Sequence, residues 1–231
     1  KAQYSRDMWA RRMQRRMGHT AVNGLYVHVF LNGMYWGLYN IAERVDDLYG
    51  KMHFGGKKSE YDVVKIEESG GNHIEAAEGD LEAWDLLTST VSKASDPVYY
   101  NRLQGKNEQG ELDPELEPLL DIDAFIDYLL INQYGGNTDW DHHNWYAIRR
   151  KGPESKGFKF LCQDCSYGHH IIGIVGASGW NAFIKNAAIV RIIAFGCVGV
   201  KNQYLYRAVE LQTDIGFLRD DVHYLFVGMV G

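Results

Sequence analysis

The sequence predicts an α+β fold, and three local patterns carry this prediction. An Asn-Gly pair at residues 32–33 joins two runs of strand-forming residues, which is a strong signal for a β-hairpin. A third run, residues 61–67, is rich in strand-forming residues. Apolar residues recur at helical spacing over residues 79–92 and 122–134. Antiparallel strands together with amphipathic helices give the α+β class.

Composition narrows the class of protein further. The chain has 231 residues, of which 45% are hydrophobic and 23% charged, and these values are typical of globular proteins rather than disordered or coiled-coil chains. The net charge of −6 argues against general nucleic-acid binding, which depends on basic surfaces. No run of about 18 uninterrupted apolar residues occurs, so we predict no membrane-spanning helix. Three cysteines are an odd number, and we interpret the C-x-x-C at residues 162–165 as two partly buried thiols.

The first element is a predicted helix that ends at Gly18. Residues 1–20 hold six basic groups and a single acid, Asp7. We interpret the basic side as a solvated face rather than as a phosphate-binding or membrane-binding surface. The apolar side of this helix is formed by Met8, Trp9, Met13 and Met17.

Three antiparallel strands are predicted next, within residues 26–67. Two of them, residues 26–31 and 35–41, flank the Asn-Gly turn, and residues 61–67 supply the third. Gly37 lies inside the second strand, where a glycine predicts a bulge or a close backbone approach. The glycine-containing connection between the second and third strands is predicted to be a flexible loop.

Helices and a second hairpin are predicted in the rest of the chain. The polar segment 105–118 is predicted to be a loop and is the most plausible lobe boundary. Asp121 is placed to cap the helix that follows it, and Gly135-Gly136 ends that helix. The predicted elements are helices over residues 79–92, 122–134, 184–195 and 203–211 and strands over residues 145–149 and 158–162.

Polar residues follow these elements in an order typical of phosphoryl transfer by kinases. Lys65 lies on a predicted strand after the hairpin, and Asp139 and Asn144 lie five residues apart after the capped helix. Asp164 follows the second hairpin. In that chemistry a strand lysine contacts phosphates, a loop aspartate positions the acceptor, and an asparagine and a second aspartate hold Mg²⁺. The five-residue spacing alone is common, whereas the complete order favours a nucleotide site.

The chain also resembles the CotH kinase family, first known from spore coats. The resemblance extends from about residue 18 to residue 164. Its most specific parts are N-G-x-Y-W-G-x-Y followed by E-R, and N-x-D-x-x-x-H-N-x-Y. The matching segments are VFLNGMYWGLYNIAERVD, DVVKIEE, NTDWDHHNWYAIRR and FKFLCQD.

This resemblance implies an atypical protein-kinase-like, two-lobed fold with an antiparallel N-lobe sheet and a mainly helical C-lobe. Residues 1–231 are then one kinase domain that is incomplete at its N-terminus. About residues 20–110 are N-lobe-like, residues 111–170 contain the catalytic loop, and residues 171–231 form a tail that matches nothing in the family. The resemblance also implies ATP and Mg²⁺ as cofactors, a protein substrate, and a spore-coat or secreted bacterial-surface location.

The resemblance assigns roles to individual residues. Lys65 is our choice for the lysine that contacts phosphates, and Glu43, on the neighbouring strand, is the candidate that orients it. Glu82, on the following helix, is the alternative to Glu43. The assigned residues are catalytic Asp139, metal-binding Asn144 and Asp164, and nucleotide-binding Lys65 and Glu43.

The chain departs from the family pattern next to Asp164. Gln163 stands where the family usually has tryptophan, and Cys165-Ser166 follows where another acid is often found. The missing indole predicts looser packing behind the aspartate. The missing acid leaves Asp141 as a candidate source of a further metal oxygen.

Each role has a structural alternative. Asp139 and Asp164 can cap a turn or a strand end, Asn144 can bond the loop backbone, and Lys65 and Glu43 can be ordinary surface charges. The functional alternatives are an inactive pseudokinase or surface interaction module, and a kinase fold that performs adenylylation or glutamylation. We expect a protein kinase that transfers phosphoryl from Mg-ATP to a protein hydroxyl.

Overall fold

The computed structural model describes residues 5–67, 73–137, 140 and 144–165. Asp139, Asp141 and the helices predicted over residues 184–195 and 203–211 lie outside the described residues. The helices are α1 (Arg6–Arg16), α2 (Asp47–Phe54), α3 (Glu82–Val91), α4 (Pro97–Leu103) and α5 (Ile122–Tyr134), with a 3₁₀ turn at Lys58–Glu60. The strands are β1 (Gly24–Leu31), β2 (Met34–Ala42), β3 (Tyr61–Glu67), β4 (His73–Glu78), β5 (Trp145–Arg150) and β6 (Lys159–Cys162).

The strands form two antiparallel sheets, which confirms the predicted α+β class. β1 and β2 form a two-stranded hairpin. Asn32 and Gly33 at its tip have φ values of 50° and 82°, the left-handed pair that a type I′ turn requires. The predicted irregularity at Gly37 is also confirmed, because the register shifts beside its partner Val29.

The second sheet has four strands in the order β4-β3-β5-β6, all antiparallel. The third predicted strand, residues 61–67, therefore belongs to a different sheet from the first hairpin. Val63 and Val64 point to opposite faces of β3, and both side chains are fully buried. A strand buried on both faces belongs in the centre of a covered sheet, whereas the apolar side chains of β1 and β2 are largely exposed.

Two hydrophobic clusters cover the faces of this sheet. The larger cluster contains Val64 and several aromatic side chains, which pack together with residues of α1, α3 and α5. Its centre is the stack of Trp84 on Trp145, with ring centroids 5.4 Å apart. The smaller cluster contains Val63, Ile148 and Leu161. None of the described helices is long and apolar enough to cross a bilayer.

α1 differs from its prediction in one respect. Arg12, Arg15 and Arg16 are exposed, as expected for a solvated basic face. Arg6 and Arg11, however, are buried. Arg11 is accommodated because it forms an ion pair with Asp7 one turn earlier, and a buried charge is tolerated when it has such a partner.

Aspartate side chains cap the N-termini of α5 and α2. Asp121 accepts a hydrogen bond from the Ala124 N–H at 3.0 Å, which confirms the predicted start of α5. The connection predicted to be a flexible loop contains α2 instead, capped by Asp46, which accepts from the Tyr49 N–H at 2.8 Å. Gly50 lies within α2 because the ring of Tyr61 packs against its backbone, where a Cβ would lie 2.5 Å from a ring carbon.

Candidate functional site

The pairing of β5 with β6 brings two of the predicted site residues to one end of the sheet. Trp145 lies opposite Cys162. Because the strands are antiparallel, Asn144 just before β5 and Asp164 just after β6 lie beyond the same end of this pair. The predicted metal ligands are therefore neighbours in space, although 19 positions separate them in the sequence.

Both residues have a left-handed backbone conformation, which is uncommon outside glycine although Asn and Asp adopt it more readily than most residues. Asn144 has φ 62° and Asp164 has φ 44°. Among the described residues the other non-glycine with positive φ is Asn32, where the hairpin turn requires it. Left-handed backbone at a non-glycine residue costs on the order of 1 kcal/mol and often marks a functional constraint. The two candidate ligands are thus held in uncommon turns at one sheet end.

Asp164 lies between two thiols that are buried in the core. Cys162 is fully buried and Cys165 is 4% exposed, so the cysteines are more deeply buried than predicted. A hydrogen bond between the two thiols, together with burial, raises the pKa of Cys165. Because the thiolate is the form that binds metals, this raised pKa makes the Cys165 thiol a poor metal ligand.

Asn132 on α5 connects this turn to the start of the catalytic-loop segment. Its buried side chain accepts a hydrogen bond from the Asn137 side-chain amide at 2.8 Å. The Cys165 thiol lies 3.8 Å from the same oxygen. Asn132 also donates to the Tyr128 carbonyl at 2.9 Å, which fixes its own orientation. Asp139, the predicted catalytic residue, follows Asn137 but is outside the described residues.

Lys65 lies on the central strand of the four-stranded sheet. It is opposite Glu75 on β4 and Tyr146 on β5, and its ammonium lies 2.7 Å from the Glu75 carboxylate. Tyr146 is two residues after Asn144. The backbone of Lys65 is therefore offset from that of Asn144 by about 7 Å along the strand direction. One strand, β5, separates β3 from β6, which corresponds to roughly 10 Å between them.

Glu43 does not orient Lys65, which corrects the predicted pairing. Glu43 follows β2, and β2 and β3 belong to different sheets. Its carboxylate instead accepts from the Asn23 N–H at 2.8 Å and lies 3.3 Å from the His53 ring. Burial opposes ionisation, but these hydrogen bonds lower the pKa of Glu43. Glu82, the alternative, is exposed in the first turn of α3, whereas Glu75 forms an ion pair with Lys65.

Sequence reasoning missed Asp7, which lies next to Asp164. Asp7 is 5% exposed, and its Oδ1 accepts a hydrogen bond from the Cys165 N–H at 3.2 Å. Burial raises the pKa of Asp7 although Arg11 favours its charged form, and the nearby Asp164 carboxylate adds to this increase. The signal in the sequence was a single acid within a basic helix, and it did not reveal contacts more than 150 positions away.

The donor chemistry at the sheet end fits magnesium. An amide oxygen from Asn144 and a carboxylate from Asp164 are hard oxygen ligands, and Mg²⁺ is usually held by one or two carboxylates, phosphates and waters. The residues that the structure describes contain no cluster of three or more His, Cys, Asp or Glu side chains able to hold a metal ion.

A known family matches a range that includes all the described residues. The family model described as CotH kinase protein matches residues 2–165. Searches of the curated proteins and of the solved structures found no significant match.

Proposed function

Because the chain belongs to the CotH kinase family, we propose that it binds Mg-ATP and transfers a phosphoryl group to a protein hydroxyl. One observation carries the proposal: the β5–β6 register brings Asn144 and Asp164 to one end of the sheet, and both have left-handed backbone. This pair has the donor chemistry that the nucleotide-bound metal requires. We propose that residues 1–231 act as one kinase domain.

Each residue would contribute a separate part of the reaction. Asn144 and Asp164 would hold the metal, and bound Mg²⁺ neutralises charge on the phosphate oxygens. Lys65 would contact phosphates as a point charge, while Glu75 keeps its side chain in place at 2.7 Å. Asp139 would accept the proton of the acceptor hydroxyl. Glu43 would have only an indirect role in nucleotide binding, because it bridges Asn23 and His53.

An inactive pseudokinase is the second candidate, and Gln163 favours it. This residue replaces the family's tryptophan beside Asp164. Its side-chain oxygen is buried without a hydrogen-bond partner within the part of the chain that the structure describes. An unpaired buried acceptor is unfavourable, so this position differs from a well-packed metal site.

Labelled nucleotides distinguish these functions. The protein is incubated with Mg²⁺ and ATP that carries label at either the γ- or the α-phosphate. Transfer of γ-label to protein supports the kinase, and transfer of α-label indicates adenylylation instead. Mg-dependent thermal stabilisation by ATP without label transfer supports either the pseudokinase or a transfer, such as glutamylation, that leaves no nucleotide label.

A matched pair of variants controls for general effects of removing an acid. Asp164→Asn should abolish Mg-dependent stabilisation by ATP, because it removes the proposed carboxylate ligand. Asp85→Asn should retain it, since Asp85 is exposed on α3. Equal stabilisation of both variants by millimolar Mg-ATP would contradict the proposed metal site.

A further inference from the structure

α1 covers the exposed edge of the four-stranded sheet. β6 is the outer strand of this sheet, so within the described part of the chain no strand pairs with one side of its backbone. Gln14 of α1 supplies the missing partners: its amide donates to the Phe160 carbonyl at 2.7 Å and accepts from the Cys162 N–H at 3.1 Å. The side chain of Gln14 thus replaces the peptide group of an adjacent strand.

Asp7 extends this attachment beyond the end of the strand. Its Oδ1 accepts from the Cys165 N–H at 3.2 Å. Gln14 holds the backbone two residues before Asp164, and Asp7 holds it one residue after. The Gln14 contacts lie within β6, whereas the Asp7 contact lies in the turn itself, directly after Asp164, which has φ 44°.

The other carboxylate oxygen of Asp7 is also occupied. Its Oδ2 accepts from the Asn40 side chain of β2 at 3.1 Å and forms an ion pair with Arg11. Asp7 thus joins three parts of the chain: its own helix, the first hairpin and the turn that contains Asp164. Its partners therefore need a hydrogen-bond acceptor at each of the two Asp7 oxygens: Cys165 at Oδ1, and Asn40 and Arg11 at Oδ2.

We propose that Asp7 is a positioning residue for the metal site: its carboxylate fixes the turn that presents Asp164 to Mg²⁺. This inference rests on the proposed function, because it assigns metal binding to Asp164. Asp7 itself does not touch the metal or the nucleotide. It acts through the Cys165 N–H, as residues that orient metal ligands commonly do through a hydrogen bond.

Asp7→Asn tests this role without changing the size of the side chain. An amide has one oxygen, and buried Arg11 will take it, so the NH₂ group turns toward the Cys165 N–H. Two donors then face each other, and the hydrogen bond to Cys165 is lost. Gln14→Met is the matched control, because it removes two hydrogen bonds between the same helix and the same strand but leaves the contact with Cys165.

Two measurements report on the variants. The first is the Mg²⁺ concentration that gives half of the thermal stabilisation by ATP, followed by tryptophan fluorescence. We expect Asp7→Asn to raise this midpoint by about 10- to 100-fold, the usual effect of losing a residue that orients a metal ligand, and Gln14→Met to leave it unchanged. The second is amide hydrogen exchange without metal or nucleotide: Asp7→Asn should accelerate exchange at Cys165, and Gln14→Met at Cys162.

The outcomes separate this inference from the proposed function. An unchanged Mg²⁺ midpoint in Asp7→Asn overturns the inference, and so does an equal increase in Gln14→Met. If ATP and Mg²⁺ do not stabilise the parent protein, the proposed function fails. Amide exchange without ligand then tests the positioning role alone, and unchanged exchange at Cys165 in Asp7→Asn overturns it. If Asp7→Asn does not fold, the double variant Asp7→Leu/Arg11→Met removes the acceptor for the Cys165 N–H together with the buried cation, and it carries the same measurements.

Discussion

Replacing Lys65 with alanine tests whether the strand lysine belongs to the nucleotide site. Its ammonium lies 2.7 Å from Glu75, and the two side chains are 30% and 29% exposed. Coulomb's law gives an attraction of about 1.5 kcal/mol at the dielectric constant of water and about 6 kcal/mol at a value of 20. Partly exposed pairs retain less than about 1 kcal/mol of this after desolvation and side-chain ordering.

The fold should therefore tolerate Lys65→Ala. A loss of about 1 kcal/mol lowers the melting temperature by about 2–4 °C in a chain of this size. A lost contact with a charged phosphate costs about 1.5–3 kcal/mol, or about 10- to 150-fold in the dissociation constant of Mg-ATP. Nucleotide binding and stability should thus respond very differently to this change.

Glu75→Gln separates the two effects. It breaks the same ion pair and should lower the melting temperature by a similar amount, but Lys65 remains available to phosphates. Titration calorimetry with Mg-ATP compares the parent and both variants. Equal affinity in Lys65→Ala and the parent would remove Lys65 from the site. Equal weakening in both variants would show that the loss comes from the ion pair rather than from a phosphate contact.

Three further predictions concern the site and its surroundings. Asp164→Ala should reduce Mg-dependent ATP binding and turnover together, whereas Asp139→Ala should reduce turnover with nucleotide still bound; identical effects in binding and label-transfer assays would contradict these roles. Gln163→Trp should raise label transfer if packing beside Asp164 limits activity, and Gln163→Leu controls for simple removal of the unpaired buried oxygen. Because the pKa of Glu43 is lowered from 4.5, its ionised form stabilises the fold above that pH, and this contribution is lost as the pH falls through the lowered value. The difference in unfolding free energy between the parent and Glu43→Gln, measured by urea denaturation, should therefore shrink below pH 4.5, and a constant difference would exclude this linkage.

Local signals predicted the elements whose cause is local. The Asn32-Gly33 turn and the Asp121 cap each act within a few residues, so the sequence alone identified the first hairpin and the start of α5. Strand pairing depends on burial from both sides. The sequence therefore identified β3 as a strand but not its place between β4 and β5.

The candidate site was proposed from its chemistry, whereas the residues that support it were not predicted. Asp164 and Asn144 are proposed ligands because their residue types and order match the requirements of a nucleotide-bound metal. Asp7 was not predicted, because a buried acid in a basic helix becomes understandable only with its partners, Cys165 and Asn40, in view. The expected link between Glu43 and Lys65 failed for a related reason, since sequence proximity did not make their strands neighbours.

The orientation of Asp164 depends on contacts from residues outside the sequence motifs. The turn is held from three directions: by β5 through the register, by Asn132 of α5 through the Cys165 thiol, and by Asp7 of α1 through the Cys165 N–H. Asn132 and Asp7 lie outside the N-x-D-x-x-x-H-N-x-Y and FKFLCQD motifs. A chain can therefore keep every proposed ligand and still present Asp164 in the wrong direction. Whether such a chain binds Mg-ATP depends on helix contacts that the motifs do not contain.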